Sequence, residues 1–171
     1  IREKFAVVYQ ELNVVDSLSI AENVFYGRLP ATRFGRIRWS KLYEDTTAVL
    51  ERIGLAIDPR RKAGLLSSAQ KQTVEIAKAL SENPRLVVMD EPTSALAPTE
   101  IRQLYSVVKK LRSQGVGIIY ISHKLDEVFE LADRITVLRD GQFIACRPAS
   151  EISEQELITF MVGRKLEDMF G

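Results

Sequence analysis

The chain of 171 residues contains one cysteine, Cys146, so no internal disulfide can form, and a reducing compartment is favoured. It has one histidine, His123. Neither sign of charge dominates: 24 Lys and Arg stand against 23 Asp and Glu, a formal net charge of +1. That balance gives no electrostatic argument for a nucleic-acid partner or an anionic membrane surface, and no nucleic acid is expected. The cluster Arg33, Arg36, Arg38 reads as a solvated face rather than a stacking surface. No apolar run approaches the ~20 residues needed to span a bilayer. The spacing G-x-x-x-x-G-K-[ST], whose amides and lysine cradle phosphates, occurs nowhere. Ile1-Arg2-Glu3-Lys4 is neither a signal peptide nor an obvious start site, and a strand begins almost directly after it, so the chain is expected to be cut from something longer.

The 46% of hydrophobic residues suffices for a core, and the length suits one domain. The most informative stretch is Leu86-Val87-Val88-Met89-Asp90-Glu91-Pro92-Thr93-Ser94. Its apolar part reads as a strand buried on both faces, as in a parallel sheet covered by helices. Two adjacent acids at its end are costly to bury unmatched. Ligands of open α/β sheets sit at the carboxyl ends of strands, so the acid pair suggests a magnesium ion beside a nucleotide phosphate. The plainer alternative is a pair of solvated acids before a proline turn.

Along the chain, residues 5–9 read as a strand and 19–26 as a short helix. Residues 29–38 read as a loop, with Pro30 and Gly35. Over residues 40–53, Leu42, Thr46, Val49, Leu50 and Ile53 share one helical face, closed by Gly54. Ser67 and Gln70 form a capping-box pattern opening a helix that Asn83-Pro84 stops. Pro98 suits the first turn of the next helix, running to about residue 113. Residues 116–121 read as another buried strand, 124–131 as a helix, 135–138 and 143–146 as strands about an Asp140-Gly141 turn. Ser153 with Glu156 opens a last helix to about residue 162. Alternating strands and helices favour a parallel α/β sheet, and residues 11–84 read as a mostly helical insertion.

The order of these features carries a resemblance. Gln10 follows a strand, Leu66-Ser67-Ser68-Ala69-Gln70 starts a helix, Asp90-Glu91 follows a strand, and so does Ser122-His123. This resembles the nucleotide-binding domain of ABC transporters, with its Q-loop, signature, Walker B, D-loop and H-loop in that order. Several stretches are similar to the carbohydrate-import (ribose/galactose/xylose-type) subfamily, whose ATPase subunit carries two such domains: Gln10-Glu11-Leu12-Asn13-Val14-Val15, Ala21-Glu22-Asn23-Val24-Phe25, Val74-Glu75-Ile76-Ala77-Lys78-Ala79-Leu80 and Tyr120-Ile121-Ser122-His123-Lys124-Leu125. Met161-Val162-Gly163-Arg164 with Leu166-Glu167-Asp168 resembles the end of the first domain.

The resemblance implies a P-loop NTPase fold of ABC type: a partial domain over residues 1–171, with 11–84 as helical subdomain, 1–10 and 85–171 as RecA-like core and C-terminal elements, and the N-terminal P-loop segment lacking. It implies ATP and Mg2+ in the intact protein. Asp90 and Gln10 would serve the metal. Glu91 would orient and partly deprotonate the attacking water. His123 would hydrogen-bond the γ-phosphate, and Gln10 would link the site to the helical insertion. Ser67, Ser68, Ala69 and Gln70 would contact nucleotide held by a second nucleotide-binding domain, through free amides at a helix N-terminus. Each has a plainer alternative: a strand-end acid, a surface ion pair, a structural histidine, a polar strand end, a simple N-cap. Ser68 and Ala69 replace the family's glycines, and Ala97 stands where many relatives place Asp. The implied function is the ATP-hydrolysing subunit of a sugar importer, peripheral on the cytoplasmic face of the inner membrane, working with permease subunits and indirectly with a periplasmic sugar-binding protein. Without Walker A this chain alone is expected to be inactive. Alternatives are a soluble ABC-type ATPase of DNA repair or translation, and a non-catalytic interaction module. Residues 86–89 and 116–121, apolar and β-prone, are expected to make the chain poorly monomeric.

Overall fold

The computed structural model describes residues 5–163; Arg164, Leu166, Glu167 and Asp168 of the C-terminal match and Ile1 to Lys4 lie outside them. Two compact units divide the chain after Ile121.

The first unit is built on a three-stranded parallel sheet, β1 (Phe5–Val8), β2 (Leu86–Asp90) and β3 (Gly117–Ile121), in that order. Val8 pairs with Met89 and Asp90 with Ile121, so all three strands end at one edge. Between β1 and β2 run α1 (Ile20–Val24), α2 (Trp39–Ile53) and α3 (Ser68–Leu80); α4 (Pro98–Ser113) joins β2 to β3. The α2 residues that share a face by spacing, Leu42, Thr46, Val49, Leu50 and Ile53, are the buried ones, and Gly54 ends the helix with φ 79°. Helix α3 packs on α1, α2, α4 and β1, and its Val74, Ile76, Ala77 and Leu80 are wholly buried. The same helix buries Glu75, whose carboxyl is pushed up by desolvation against the opposing pull of Lys78, 3.8 Å away.

The expectation of strands buried on both faces needs correction. In β2 only Val87 and Met89 are fully buried; Leu86 and Val88 are half-buried. Strand β3 is an edge strand, and α4 packs on it. Its alternate residues Ile119 and Ile121 are 48% and 46% exposed, so period-two alternation decides which side chains are covered.

The second unit holds α5 (Leu125–Leu131), an antiparallel hairpin of β4 (Arg134–Arg139) and β5 (Gln142–Pro148), and α6 (Glu154–Val162). Asp140 and Gly141 both take positive φ, 52° and 75°, as a tight I′ hairpin turn requires. Ile135, Val137, Ile152 and Leu157 form its core, joined by Leu125, Val128 and Phe129. Gly163 caps α6 at φ 80°; a Cβ there would stand 2.6 Å from the Arg139 guanidinium, which itself donates to the Phe160 carbonyl at 2.9 Å.

The loop before α2 is a small hairpin of its own, with Ala31 bridged to Ile37 and the Arg38 amide donating to Pro30 at 2.8 Å. Arg33, Arg36 and Arg38 are all exposed, the solvated face expected of them, but the face is not free of aromatics. Phe34 stands among them, 87% exposed.

Candidate functional site

The parallel sheet brings two of the expected groups together at one edge and places a third beside them. Asp90 is the half-buried last residue of β2, Glu91 follows it, and Gln10, exposed, lies two residues beyond the end of β1. Glu91 takes φ 40°, in the left-handed region. A side chain with a Cβ costs about 1–2 kcal/mol there, and such strain concentrates at functional positions. The turn is held by the Glu91 amide donating to the Ile121 carbonyl at 2.9 Å, Ser94 to Glu91 at 3.2 Å and Leu96 to Thr93 at 3.1 Å. Pro92 and Thr93 are buried beneath it. Two neighbouring carboxylates are thus fixed on a rigid corner at the ligand edge of the sheet.

Among the described residues no three His, Cys, Asp or Glu groups cluster as a metal cage. Two adjacent carboxylates suit a magnesium ion, which keeps several waters and takes one or two carboxylates beside substrate phosphates.

The Ser67 helix start is built as its sequence indicates. Ser67 Oγ accepts from the Gln70 amide at 3.3 Å, and Gln70 Oε1 accepts from the Ser67 amide at 3.1 Å. Ser68 and Ala69 lie inside α3 with no positive φ, so replacing glycine there strains nothing. Ser67 and Ser68 are exposed; Ala69 is buried. Sequence reading missed Glu100 in the first turn of α4. Its carboxylate accepts from the Ala97 amide at 3.0 Å and also meets the Ser67 hydroxyl and the Ala69 amide, which hold its pKa below the usual range.

The segment between Gln10 and α1 is tied to the lead-in of α3. Asn23, buried, accepts from the Val15 amide at 2.7 Å and donates to the carbonyls of Val15 at 3.1 Å and Ser19 at 2.9 Å. The Ala63 amide donates to Leu18, Gly64 to Asp16, and the Lys71 ammonium meets the Asp16 carboxylate at 2.7 Å. A Cβ on Gly64 would come within 3.2 Å of Asp16, so a larger residue there would have to push Asp16 back by a few tenths of an ångström.

His123 belongs to the second unit, is exposed, and follows β3 by two residues. Its turn is ordered from within that unit. The Ser122 hydroxyl accepts from the Lys124 amide at 3.0 Å and donates to Glu127 at 3.1 Å, while Lys124 pairs with Glu127 at 3.4 Å. Glu127 is only 2% exposed. A glutamate one turn into a helix gave no sequence signal for burial.

A family model described as "ABC transporter" matches residues 1–94, more than half of the chain. The chain belongs to the ABC transporter family. It is 48% identical over 97% of its length to a ribose import ATP-binding protein RbsA of Chelativorans sp. (strain BNC1), and 45% identical over 99% to that of Geobacillus kaustophilus (strain HTA426). It spans about a third of each relative, 32% and 34%. A nucleotide-free ATP-binding cassette from an ABC transporter superposes with a TM-score of 0.69 at 27% identity, covering 97% of this chain and 69% of that one. The cbiO1 protein of Clostridium perfringens, at 23% identity and a TM-score of 0.75, shares the fold over 98% of this chain and 66% of its own. The P-loop NTPase class of ABC type, a parallel α/β sheet with helices, is therefore the fold of this ABC-family chain.

Proposed function

We propose that this ABC-family chain is part of the ATP-hydrolysing subunit of a sugar importer. The observation that carries the reading is the corner at Asp90 and Glu91: two carboxylates at the carboxyl edge of a parallel sheet, the second held at φ 40°. Relatives named for ribose import, matched along nearly the whole chain, support the transport class.

In this reading Asp90 holds magnesium through water, and the ion, when bound, neutralises charge on the nucleotide phosphates. Glu91 orients the attacking water and draws its proton. Gln10 senses the same ligands and passes their state into residues 11–84, which form the subdomain that meets the permease. The tie between the 10–19 segment and the start of α3 gives that passage a physical route, through Asp16 and Lys71. His123 hydrogen-bonds the terminal phosphate. Ser67, Ser68, Ala69 and Gln70 approach nucleotide on a second such domain. Residues 1–10 and 85–171 form the core and C-terminal elements. The work site is the cytoplasmic face of the membrane. The chain has no G-x-x-x-x-G-K-[ST] run, so by itself it holds ATP weakly and does not turn it over.

Phosphate release by the intact protein, with its other nucleotide site disabled, tests this. Glu91→Gln should slow release about 100- to 10,000-fold while ATP still binds. An unchanged rate removes Glu91 from the mechanism. Turnover by the present chain alone, abolished by Glu91→Gln, would show a complete site within it.

A further inference from the structure

The net charge of +1 conceals a strong local imbalance. Between Glu22 and Glu44 stand Arg28, Arg33, Arg36, Arg38 and Lys41, and no acid. Arg28 is engaged by Glu82 at 3.4 Å and Lys41 by Asp45 at 2.6 Å. Arg33, Arg36 and Arg38 have no ion pair among the described residues and are exposed.

The structure gives these cations a fixed platform. The Thr32 amide donates to Arg36 at 2.8 Å, Gly35 to Thr32 at 3.0 Å, and the Arg36 amide to the Thr32 hydroxyl at 3.2 Å. Gly35, at φ 75°, lets the turn close. Thr32, Arg33, Phe34 and Arg36 line one open concavity. Phe34 stands within the tip, 87% exposed, and Trp39, 42% exposed, stands at the base, stacked on Tyr43 at 5.9 Å. The ordered turn thus presents a phenyl ring to solvent between arginines, the pairing of apolar and cationic groups that an interfacial anchor uses.

We propose that the hairpin at residues 29–39 is a peripheral membrane contact, in which Phe34 enters the interfacial layer of an anionic bilayer while Arg33, Arg36 and Arg38 meet lipid phosphates. Two magnitudes favour a lipid surface over an acidic protein. A stable protein interface takes about 800 Å² from each partner in a closely fitted surface, which a single hairpin led by one aromatic does not supply by itself. A headgroup layer needs no matching shape, and each basic residue near it strengthens binding about fivefold. The aromatic supplies the apolar part and the guanidiniums the electrostatic part of an interfacial anchor. This goes beyond the ATPase role and does not rest on it.

Co-sedimentation of the full chain with vesicles decides it, using phosphatidylcholine alone or mixed with phosphatidylserine. Trp39, the only tryptophan, reports from the hairpin base. Binding to the mixed vesicles alone is expected, with a blue shift of Trp39 emission and release by molar salt. Arg33→Ala with Arg36→Ala should weaken binding about 25-fold, and Phe34→Ala about tenfold, with circular dichroism unchanged. Equal binding to both vesicles overturns the proposal. So does wild-type binding by the double-arginine variant. Capture by polyglutamate without vesicle binding also overturns it and assigns the tip to an acidic protein.

Discussion

Two loops of the first unit, residues 10–19 and 29–39, follow opposite plans. The 10–19 loop gives its polar groups to other segments: Asn23 grips Val15, Asp16 meets Lys71, and Leu18 and Asp16 accept from Ala63 and Gly64. The 29–39 loop spends its hydrogen bonds on itself, Thr32 with Gly35 and Arg36, Pro30 with Arg38. A loop bonded outward moves only if its neighbours move, which suits transmission from Gln10 to the Ser67 helix. A loop bonded inward keeps its shape and leaves its side chains to solvent, which suits presentation.

The comparison breaks most visibly at Asn23. Asn23→Ala removes three hydrogen bonds and strands the Val15 amide and carbonyl, so it should cost about 3 kcal/mol in urea unfolding. A loss below about 1 kcal/mol would mean the loop is not held there. Titration sharpens the contrast next. Glu22 closes a capping box on Ser19, accepting from its hydroxyl at 2.6 Å and its amide at 2.7 Å, and those bonds hold its carboxyl below the usual carboxylate range. A carboxyl depressed by folding stabilises the fold above its unfolded pKa, and that contribution fades as pH falls through the lower folded value. Protection of the α1 amides, relative to their intrinsic exchange rates, should therefore fall below pH ~4.5, whereas the 29–39 hairpin, which has no acid, should keep its protection. Parallel loss of protection in both would erase the distinction. The smallest effect belongs to the hairpin: Phe34→Ser should change stability by less than about 0.5 kcal/mol, as at an exposed site away from structural features. A larger cost would show that the ring packs on something.

Local chemistry made much of this legible beforehand. The buried face of α2 followed from spacing alone, the Ser67 and Ser153 capping boxes from the residue three places on, and the Asp140-Gly141 turn from its dipeptide. The order Gln10, Ser67, Asp90, Glu91, His123 led to the family. What sequence could not show was pairing at a distance. Asp16 and Lys71 lie 55 positions apart, and Glu100 reaches Ser67 from another helix. Glu127 is a helix acid whose burial depends on its packing. The open face of β3 reflects which side of a strand is covered, and a run of apolar residues does not state that. Net charge misled as well, because a sum over the whole chain hides three unpaired arginines on one turn.

The left-handed φ of Glu91 sets the stability of the fold against the use of its carboxylate. Glycine or asparagine would rest there with less strain, so Glu91→Gly relieves about 1 kcal/mol of backbone strain, set against the side-chain contacts and chain entropy it gives up. The glutamate at this corner therefore carries its carboxylate on a backbone conformation that glycine adopts with less strain.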